Sequence, residues 1–453
     1  MKYDILIIGG GPAGYETALE AASRGKSVIL FNGDKLGGTC LNEGCIPTKC
    51  LCRNAELISN LKTGLTEGIC DLSFSVDYNT ILARKENVIL NLRNGVENLL
   101  ESAGVKVINA KASFKSNNVI EAEGAEYEAE NIIICTGSVT KKLPIPGSDL
   151  PCVMDSTKIL SIEYIPARLT IIGGGVIGME FASIFSQLGS EVTVLEFMKN
   201  ILPGFDTDIS KRLKQNLTKK GINIITGAAA KEIRQNEFYE IEVIYEAKGK
   251  EGKIVSSDLL MAVGRKPMIE GLNLEKAGVE YSPSGIKVDD CMRTNIPGIF
   301  ACGDVTGQIM LAHVATFQGL RALNSIDRKK DFINFDLVPS AVFTFPECGM
   351  VGKTEEKCKE KGIEFITGLS FFRANGKALA MGEPDGMCKL IFKKDNHALI
   401  GAHIMGLEAA ILTQQCADLM NSEITLEKLT DIIFGHPTVS EVILSAAKAV
   451  KLK

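Results

Sequence analysis

The 453-residue chain lacks several features that would classify it early. No uninterrupted apolar run reaches the roughly 18 residues that a bilayer-spanning helix needs, which excludes a helical membrane protein. No basic block stands out, because 50 Lys and Arg face 55 Asp and Glu for a formal net charge of −5. Nucleic acid and anionic membranes are thereby excluded as main partners. The N-terminus, MKYDILIIGG, has no signal-peptide cleavage pattern. No Pro/Gly/Ser-rich linker or low-complexity tract divides the chain, which implies a compact body. At about 150 residues per domain the length predicts two to four domains. A cytoplasmic enzyme is the expectation.

Histidine is scarce, with His313, His397, His403 and His436 alone, whereas cysteine is plentiful at 13. That number is odd, and a chain this long needs no disulfide staples, so a secreted disulfide framework is excluded. Most of these thiols read as small core residues in a reducing compartment. Cys50 and Cys52 form C-L-C with no histidine nearby, which argues against zinc. Cys135 and Cys302 interrupt strand-like runs and read as core packing.

The chain repeats itself. Residues 5–14 read ILIIGGGPAG and residues 169–178 read LTIIGGGVIG, so Gly9, Gly11 and Gly14 return as Gly173, Gly175 and Gly178. The offset is 164 residues at all three glycines. Each triplet follows a β-branched run, opens a helical stretch that stops at Gly25 or Gly189, and leads into another strand. The first glycine permits a tight turn, the second admits a pyrophosphate, and the third lets helix pack on strand. The pyrophosphate then meets the free N–H groups of the helix N-terminus. One such motif is weak evidence; two in the required strand-to-helix context are strong. Glu196 lies 18 residues beyond Gly178, where a carboxylate accepts from an adenosine 2′-hydroxyl and repels a 2′-phosphate. The equivalent residue of the first unit is Asn32, which can bond a ribose but carries no charge. Two unlike dinucleotides are expected, with NAD preferred over NADP in the second unit.

Between the units lies GGTCLNEGCIPTK, residues 37–49. Cys40 and Cys45 are five apart, and in a regular helix such positions are separated by roughly 8.6 Å, beyond the limit of about 7 Å for a disulfide. The segment must bend if the two are joined, and Gly44 and Pro47 suit a distorted helix start. A helix N-terminus would also stabilise a thiolate. On spacing alone, two buried structural thiols are the favoured reading.

With these motifs the chain resembles the flavin-dependent pyridine nucleotide–disulfide oxidoreductases, and GGTCLNEGCIPTK is similar to their dihydrolipoyl-oxidising branch. NIIICTGS at 131–138, MAVGRKP at 261–267, TNIPGIFACGDVTG at 294–307, FTFPECGMVGKTEE at 343–356 and FGHPTVSE at 434–441 carry the likeness along the whole chain. The resemblance implies an α/β fold with two Rossmann-like dinucleotide-binding domains, for FAD and NAD, plus a C-terminal α+β dimer-interface domain. The implied divisions are an FAD domain (1–150), an NAD domain (151–270), a return to the FAD side (271–335) and an interface domain (336–453).

The catalytic residues it implies are Cys40 and Cys45 as a redox disulfide, His436 as general base oriented by Glu441, and Lys49 paired with Glu180 beside the flavin. The cofactor-binding residues it implies are Gly9, Gly11, Gly14, Asn32, Thr39, Lys49, Ala112, Thr136, Gly137, Asp304, Ala312, Gly173, Gly175, Gly178, Glu196 and Gly264, with Asp304 on the FAD ribityl chain. No metal is implied. His313 would touch the flavin edge or help position the disulfide, while His397 and His403, on an apparent strand pair, read as structural. The implied reaction is oxidation of protein-bound dihydrolipoyl groups or lipoamide with NAD⁺ as acceptor, in a homodimer where His436 reaches the other subunit's disulfide. The implied setting is a 2-oxo acid dehydrogenase or glycine-cleavage complex. The alternative is a related NAD(P)H-dependent reductase of another small disulfide, such as glutathione reductase. A mercuric reductase would carry a terminal cysteine pair, but this chain ends AVKLK. The family usually has Glu at Asn32 and often a second histidine at Phe434.

Overall fold

The computed structural model describes residues 2–451 apart from 66, 69, 70 and 72, so Cys70 lies outside the described residues. The first glycine unit forms strand β1 (Lys2–Ile8), helix α1 (Pro12–Ser23) and strand β2 (Val28–Phe31). Pro12 occupies the first helical position, where its missing N–H costs nothing and its φ is pre-set. The second unit forms the strand Arg168–Ile172, the helix Val176–Leu188 and the strand Glu191–Glu196. Gly189 caps that helix at φ 109°, a conformation that L side chains rarely adopt.

Each unit nucleates its own sheet. Helices α2 (Gly38–Glu43), α3 (Cys45–Gly64) and α4 (Tyr78–Ser102) follow β2 before the chain re-enters the first sheet. There β3 (Lys106–Ile108), β4 (Ser113–Phe114), β5 (Val119–Ala122) and β6 (Ala125–Ile134) complete the order β3-β2-β1-β6-β5-β4. The strand Ile299–Ala301 returns from 165 residues downstream and pairs parallel with β6. β1 lies between β2 and β6, both parallel to it, which makes its carboxyl end a topological switch point where ligands bind in open α/β sheets. The second sheet is five-stranded and parallel, with Arg168–Ile172 in the same central place between Glu191–Glu196 and Asp258–Met261. Residues 5–8 of β1 and 169–172 of the second central strand are buried, as parallel sheets covered on both faces require.

The C-terminal third holds a five-stranded antiparallel sheet in the order Ser340–Val342, Cys348–Gly352, Leu399–Met405, Met387–Lys393, Phe365–Phe371. The helices Ala409–Asn421 and Glu441–Lys448 cover it. His403 lies on the strand Leu399–Met405 as expected, fully buried, with Nε2 2.9 Å from the Lys353 carbonyl. His397 departs from the expectation: it sits in the turn between the strands at φ 54° and bonds Glu427. Cys135 and Cys302 are buried just past the ends of β6 and Ile299–Ala301.

One packing contact joins the parts. Leu51, Ala55 and Ile58 of α3 share a hydrophobic core with Met179, Phe181 and Phe185 of the second glycine helix and with Val342 and Met405 of the C-terminal sheet. The helix that starts at Cys45 therefore lies against both other sheets' helices and strands.

Candidate functional site

The bend that a Cys40–Cys45 pairing needs is present. α2 ends at Glu43, Gly44 breaks the helix at φ −147° and ψ −107°, and α3 begins at Cys45 itself. The two cysteines thus stand on different helices. Both are free thiols, with Cys40 hydrogen-bonded to Cys45. The pair is asymmetric. The hydrogen bond from Cys40 and the charge of Lys49 outweigh burial and bring Cys45 down to about 7. Cys40 moves the opposite way, since its proton is the one shared and burial disfavours its charge. Cys45 is also the first residue of a 20-residue helix, where the aligned peptide dipoles favour a thiolate.

One turn further along α3, Lys49 reaches Glu180 across 131 residues of sequence, with Nζ 2.8 Å from Oε1 and 2.9 Å from Oε2. Glu180 is buried and also accepts the Phe343 N–H at 3.0 Å. Lys49 Nζ lies 4.5 Å from the centre of the Phe343 ring. Burial pulls Lys49 down, but the charge and hydrogen bonds of Glu180 leave it above its ordinary value. The result is a cation held charged one helical turn from the more acidic of the two thiols. Cys52 continues the same helix face; burial holds it protonated, up to about 12.

The two glycine turns form matching cradles. A Cβ on Gly14 would sit 1.8 Å from the Gly9 carbonyl oxygen, and one on Gly178 would sit 1.9 Å from that of Gly173. Only glycine allows these helices to pack so closely on their strands. Past the turns, Gly137, Gly175 and Gly264 face open space, and Gly11 has only Gly38 near. Glu196 is buried and accepts from the backbone N–H groups of Gly174 and Met198, both at 2.5 Å, so its carboxylate is held beside the second turn. Asn32 occupies the corresponding place beside Gly10, and its amide donates to Asp34 O at 2.7 Å and Asn109 Oδ1 at 3.1 Å.

Asp304 is half-satisfied: Oδ2 accepts from Ser138 Oγ at 2.5 Å, and Oδ1 has no protein partner among the described residues. A carboxylate oxygen left open beside a glycine cradle fits a polyol hydroxyl, so the residues present fit a flavin dinucleotide. Thr39 is exposed on α2, Ala312 is the first residue of the helix Ala312–Ile326, and Ala112 is buried beside Phe114. Thr136 Oγ1 donates to Met268 O at 2.7 Å. Three residues that sequence reading passed over also converge here. Arg265 and Ser138 lie within quoted motifs, but their meeting needs the antiparallel pairing of Ser138–Thr140 with Arg265–Pro267. Arg93, on α4, holds Asn42 between the two cysteines at 3.0 and 2.6 Å, and nothing local in the sequence signals it.

The hydrogen bonds of the His436 ring go to Glu441 and not to either cysteine of its own chain. Its Nδ1 is 3.1 and 3.3 Å from the Glu441 carboxylate, which also accepts the Thr438 N–H at 3.0 Å. The Thr438 N–H and then His436 hold Glu441 below the usual carboxylate range. The imidazole side chain is 77% exposed and Ile433 is 96% exposed, so the rest of this chain does not cover the segment. His313 Nε2 is 3.0 Å from the Pro339 carbonyl, and burial holds the ring below its ordinary pKa. Among the described residues, no cluster of His, Cys, Asp or Glu could hold a metal ion, and no helix is long and apolar enough to cross a membrane.

Paired thiols between two dinucleotide cradles define a disulfide oxidoreductase, and the comparisons agree. Residues 3–319 match the family described as pyridine nucleotide-disulphide oxidoreductase, and residues 338–447 match its dimerisation domain. The chain belongs to this family of flavin- and nicotinamide-dependent enzymes. It is 37% identical over 449 residues to the dihydrolipoyl dehydrogenase of Bacillus subtilis (strain 168), covering 98% of this chain and 97% of that protein. It is 37% identical over 448 residues to the dihydrolipoyl dehydrogenase of Chlamydia muridarum, covering 97% and 95%. Among solved structures, the HOCl-induced flavoprotein disulfide reductase RclA from Escherichia coli superposes with a TM-score of 0.89 at 31% identity, covering 99% of this chain and 100% of that one.

Proposed function

We propose that this chain oxidises protein-bound dihydrolipoyl groups to lipoyl with NAD⁺ as acceptor. The observation that carries the reading is the asymmetric pair: a thiolate-prone Cys45 at a helix start, one turn from the Lys49–Glu180 pair, with Cys40 donating to it. The dihydrolipoyl substrate is taken from the names of the relatives, which span nearly the whole chain.

His436, held by Glu441, accepts the proton of a substrate thiol, which then attacks Cys40 of the oxidised pair. The Cys40–Cys45 bond breaks, a mixed disulfide forms at Cys40, and Cys45 leaves as a thiolate that needs no proton near neutral pH. The second substrate thiol passes its proton to Cys40 as it displaces it, and His436 releases the first proton to solvent. Substrate dithiol has become disulfide, and the enzyme disulfide has become a Cys40 thiol and a Cys45 thiolate. Bound FAD would supply a two-electron acceptor for the reduced pair, with NAD⁺ as the final hydride acceptor. Asn32, Asp304, Thr39 and the first glycine turn would hold the flavin; Glu196 and the second turn would hold the nicotinamide dinucleotide. Glu196 favours NAD, because a buried carboxylate repels a 2′-phosphate.

The exposed His436 and Ile433 support a homodimer in which the partner subunit covers this segment and receives the base. The same reading divides the chain into FAD (1–150 and 271–335), NAD (151–270) and interface (336–453) domains, working in the cytoplasm within a 2-oxo acid dehydrogenase or glycine-cleavage assembly. The likeness to RclA favours one second reading, a reductase of another small disulfide. Steady-state rates with dihydrolipoamide and NAD⁺, against glutathione disulfide with NADH and NADPH, separate the two. Turnover of glutathione disulfide but not of dihydrolipoamide would reject the proposal.

A further inference from the structure

Arg265 sits where a charge is costly. It lies on the short strand Arg265–Pro267, and its Nε donates to Ser138 Oγ while Nη2 donates to the Ser138 carbonyl, both at 2.7 Å. Ser138 is buried, and its hydroxyl donates in turn to Asp304 Oδ2 at 2.5 Å. Nη2 also faces Thr39 Oγ1 at 3.5 Å, on the helix that carries Cys40. Burial pulls the guanidinium below its ordinary pKa, and the charges of Asp304, Asp155, Glu43 and Cys45 oppose that pull.

The direction of this relay follows from donor chemistry. A serine hydroxyl has one proton, and an arginine can only donate. Ser138 must therefore accept from Arg265 and spend its proton on Asp304. That engages Oδ2 and leaves Oδ1 as the acceptor without a protein partner among the described residues. A neutral residue at 265 would free the Ser138 proton to turn elsewhere, and Asp304 would lose its fixed orientation. Lysine would keep the charge, but a point-like ammonium does not reproduce the planar fork that bonds both oxygens of Ser138.

We propose that Arg265 is a positioning residue for this reaction: through Ser138 it fixes which oxygen of Asp304 meets the flavin polyol, and it lays a permanent positive charge between that carboxylate and the redox thiols. The proposal rests on the flavin–disulfide reading above. Two readouts in the full-length, flavin-loaded protein test it: the flavin dissociation constant, from fluorescence of released flavin, and the pH midpoint of Cys45 alkylation by iodoacetamide after reduction. Ser138→Ala should weaken flavin retention about tenfold, the scale of one lost hydrogen bond to a charge, and leave the Cys45 midpoint in place. Arg265→Lys should weaken retention similarly with the midpoint kept. Arg265→Gln should weaken retention at least as much and raise the midpoint by about half a pH unit, as loss of a nearby positive charge requires. Wild-type flavin retention in Arg265→Lys and Ser138→Ala would overturn the relay, even if Arg265→Gln fails to fold. An unmoved midpoint in folded Arg265→Gln would overturn the electrostatic half. Wild-type protein that holds no flavin would instead sink the underlying reading.

Discussion

Replacing Cys40 by Ala removes the first of the influences that hold Cys45 at about 7 and leaves Lys49 and the helix start untouched. A hydrogen bond to a charged acceptor contributes about 1.5–3 kcal/mol, and one pKa unit corresponds to about 1.4 kcal/mol. The Cys45 midpoint should therefore rise by about one to two units, toward an ordinary thiol. Below the old midpoint the thiolate fraction then falls about 10- to 100-fold. Each remaining thiolate becomes about 3- to 10-fold more nucleophilic, because reactivity follows basicity with a Brønsted slope of about 0.4–0.5. The net effect is a rate of alkylation by iodoacetamide that drops about 3- to 10-fold near pH 6, while the plateau at high pH rises by a similar factor. The assay is the pH profile of Cys45 modification in reduced protein, quantified on the Cys45 peptide by mass spectrometry. Cys40→Ser keeps a donor and should shift the midpoint less. A Cys40→Ala midpoint still near 7 with an unchanged plateau would show that Lys49 and the helix dipole set the thiolate without Cys40.

His436→Gln should slow dithiol oxidation about 10²- to 10⁴-fold, the usual contribution of a positioned base, with flavin absorbance retained; turnover near wild type in stopped-flow would reject the base. Gly14→Ala drives a Cβ to 1.8 Å from the Gly9 carbonyl oxygen, so the purified variant should lose its yellow colour. Gly95→Ala, on α4 with nothing within 4 Å, should instead stabilise the protein by about 0.5–1 kcal/mol, visible as a higher Tm. Glu196→Ala removes the acceptor beside the second turn, and the NAD⁺ over NADP⁺ ratio in kcat/KM should fall by at least about tenfold; an unchanged ratio would place the selectivity elsewhere.

The sequence by itself determined the parts that local rules govern. The repeated glycine triplets with their strand-to-helix context give two dinucleotide cradles, because turn, close approach and helix packing are all settled within about 20 residues of chain. Gly44 between the cysteines breaks the helix where a pairing needs it broken. His436 and Glu441, five apart, are near enough in the chain to meet on their own. His397 lies off the strands because three polar residues, Asp395, Asn396 and His397, close the hairpin and shorten its strands.

Only the tertiary structure decided what charge each group carries and which distant residues touch. Lys49 meets Glu180 because α3 packs on the second glycine helix, and no spacing along the chain encodes a contact across 131 residues. The relay from Arg265 through Ser138 to Asp304 joins two strand starts and a 3₁₀ turn, and although Asp304 stands out by resemblance, nothing local links it to the other two. The unequal acidity of Cys40 and Cys45 depends on which sulfur holds the shared proton and which lies nearer a buried cation. Periodicity and turn chemistry act over a few residues, whereas electrostatic environment is a sum over everything that packs nearby, and it exists only once the chain has folded.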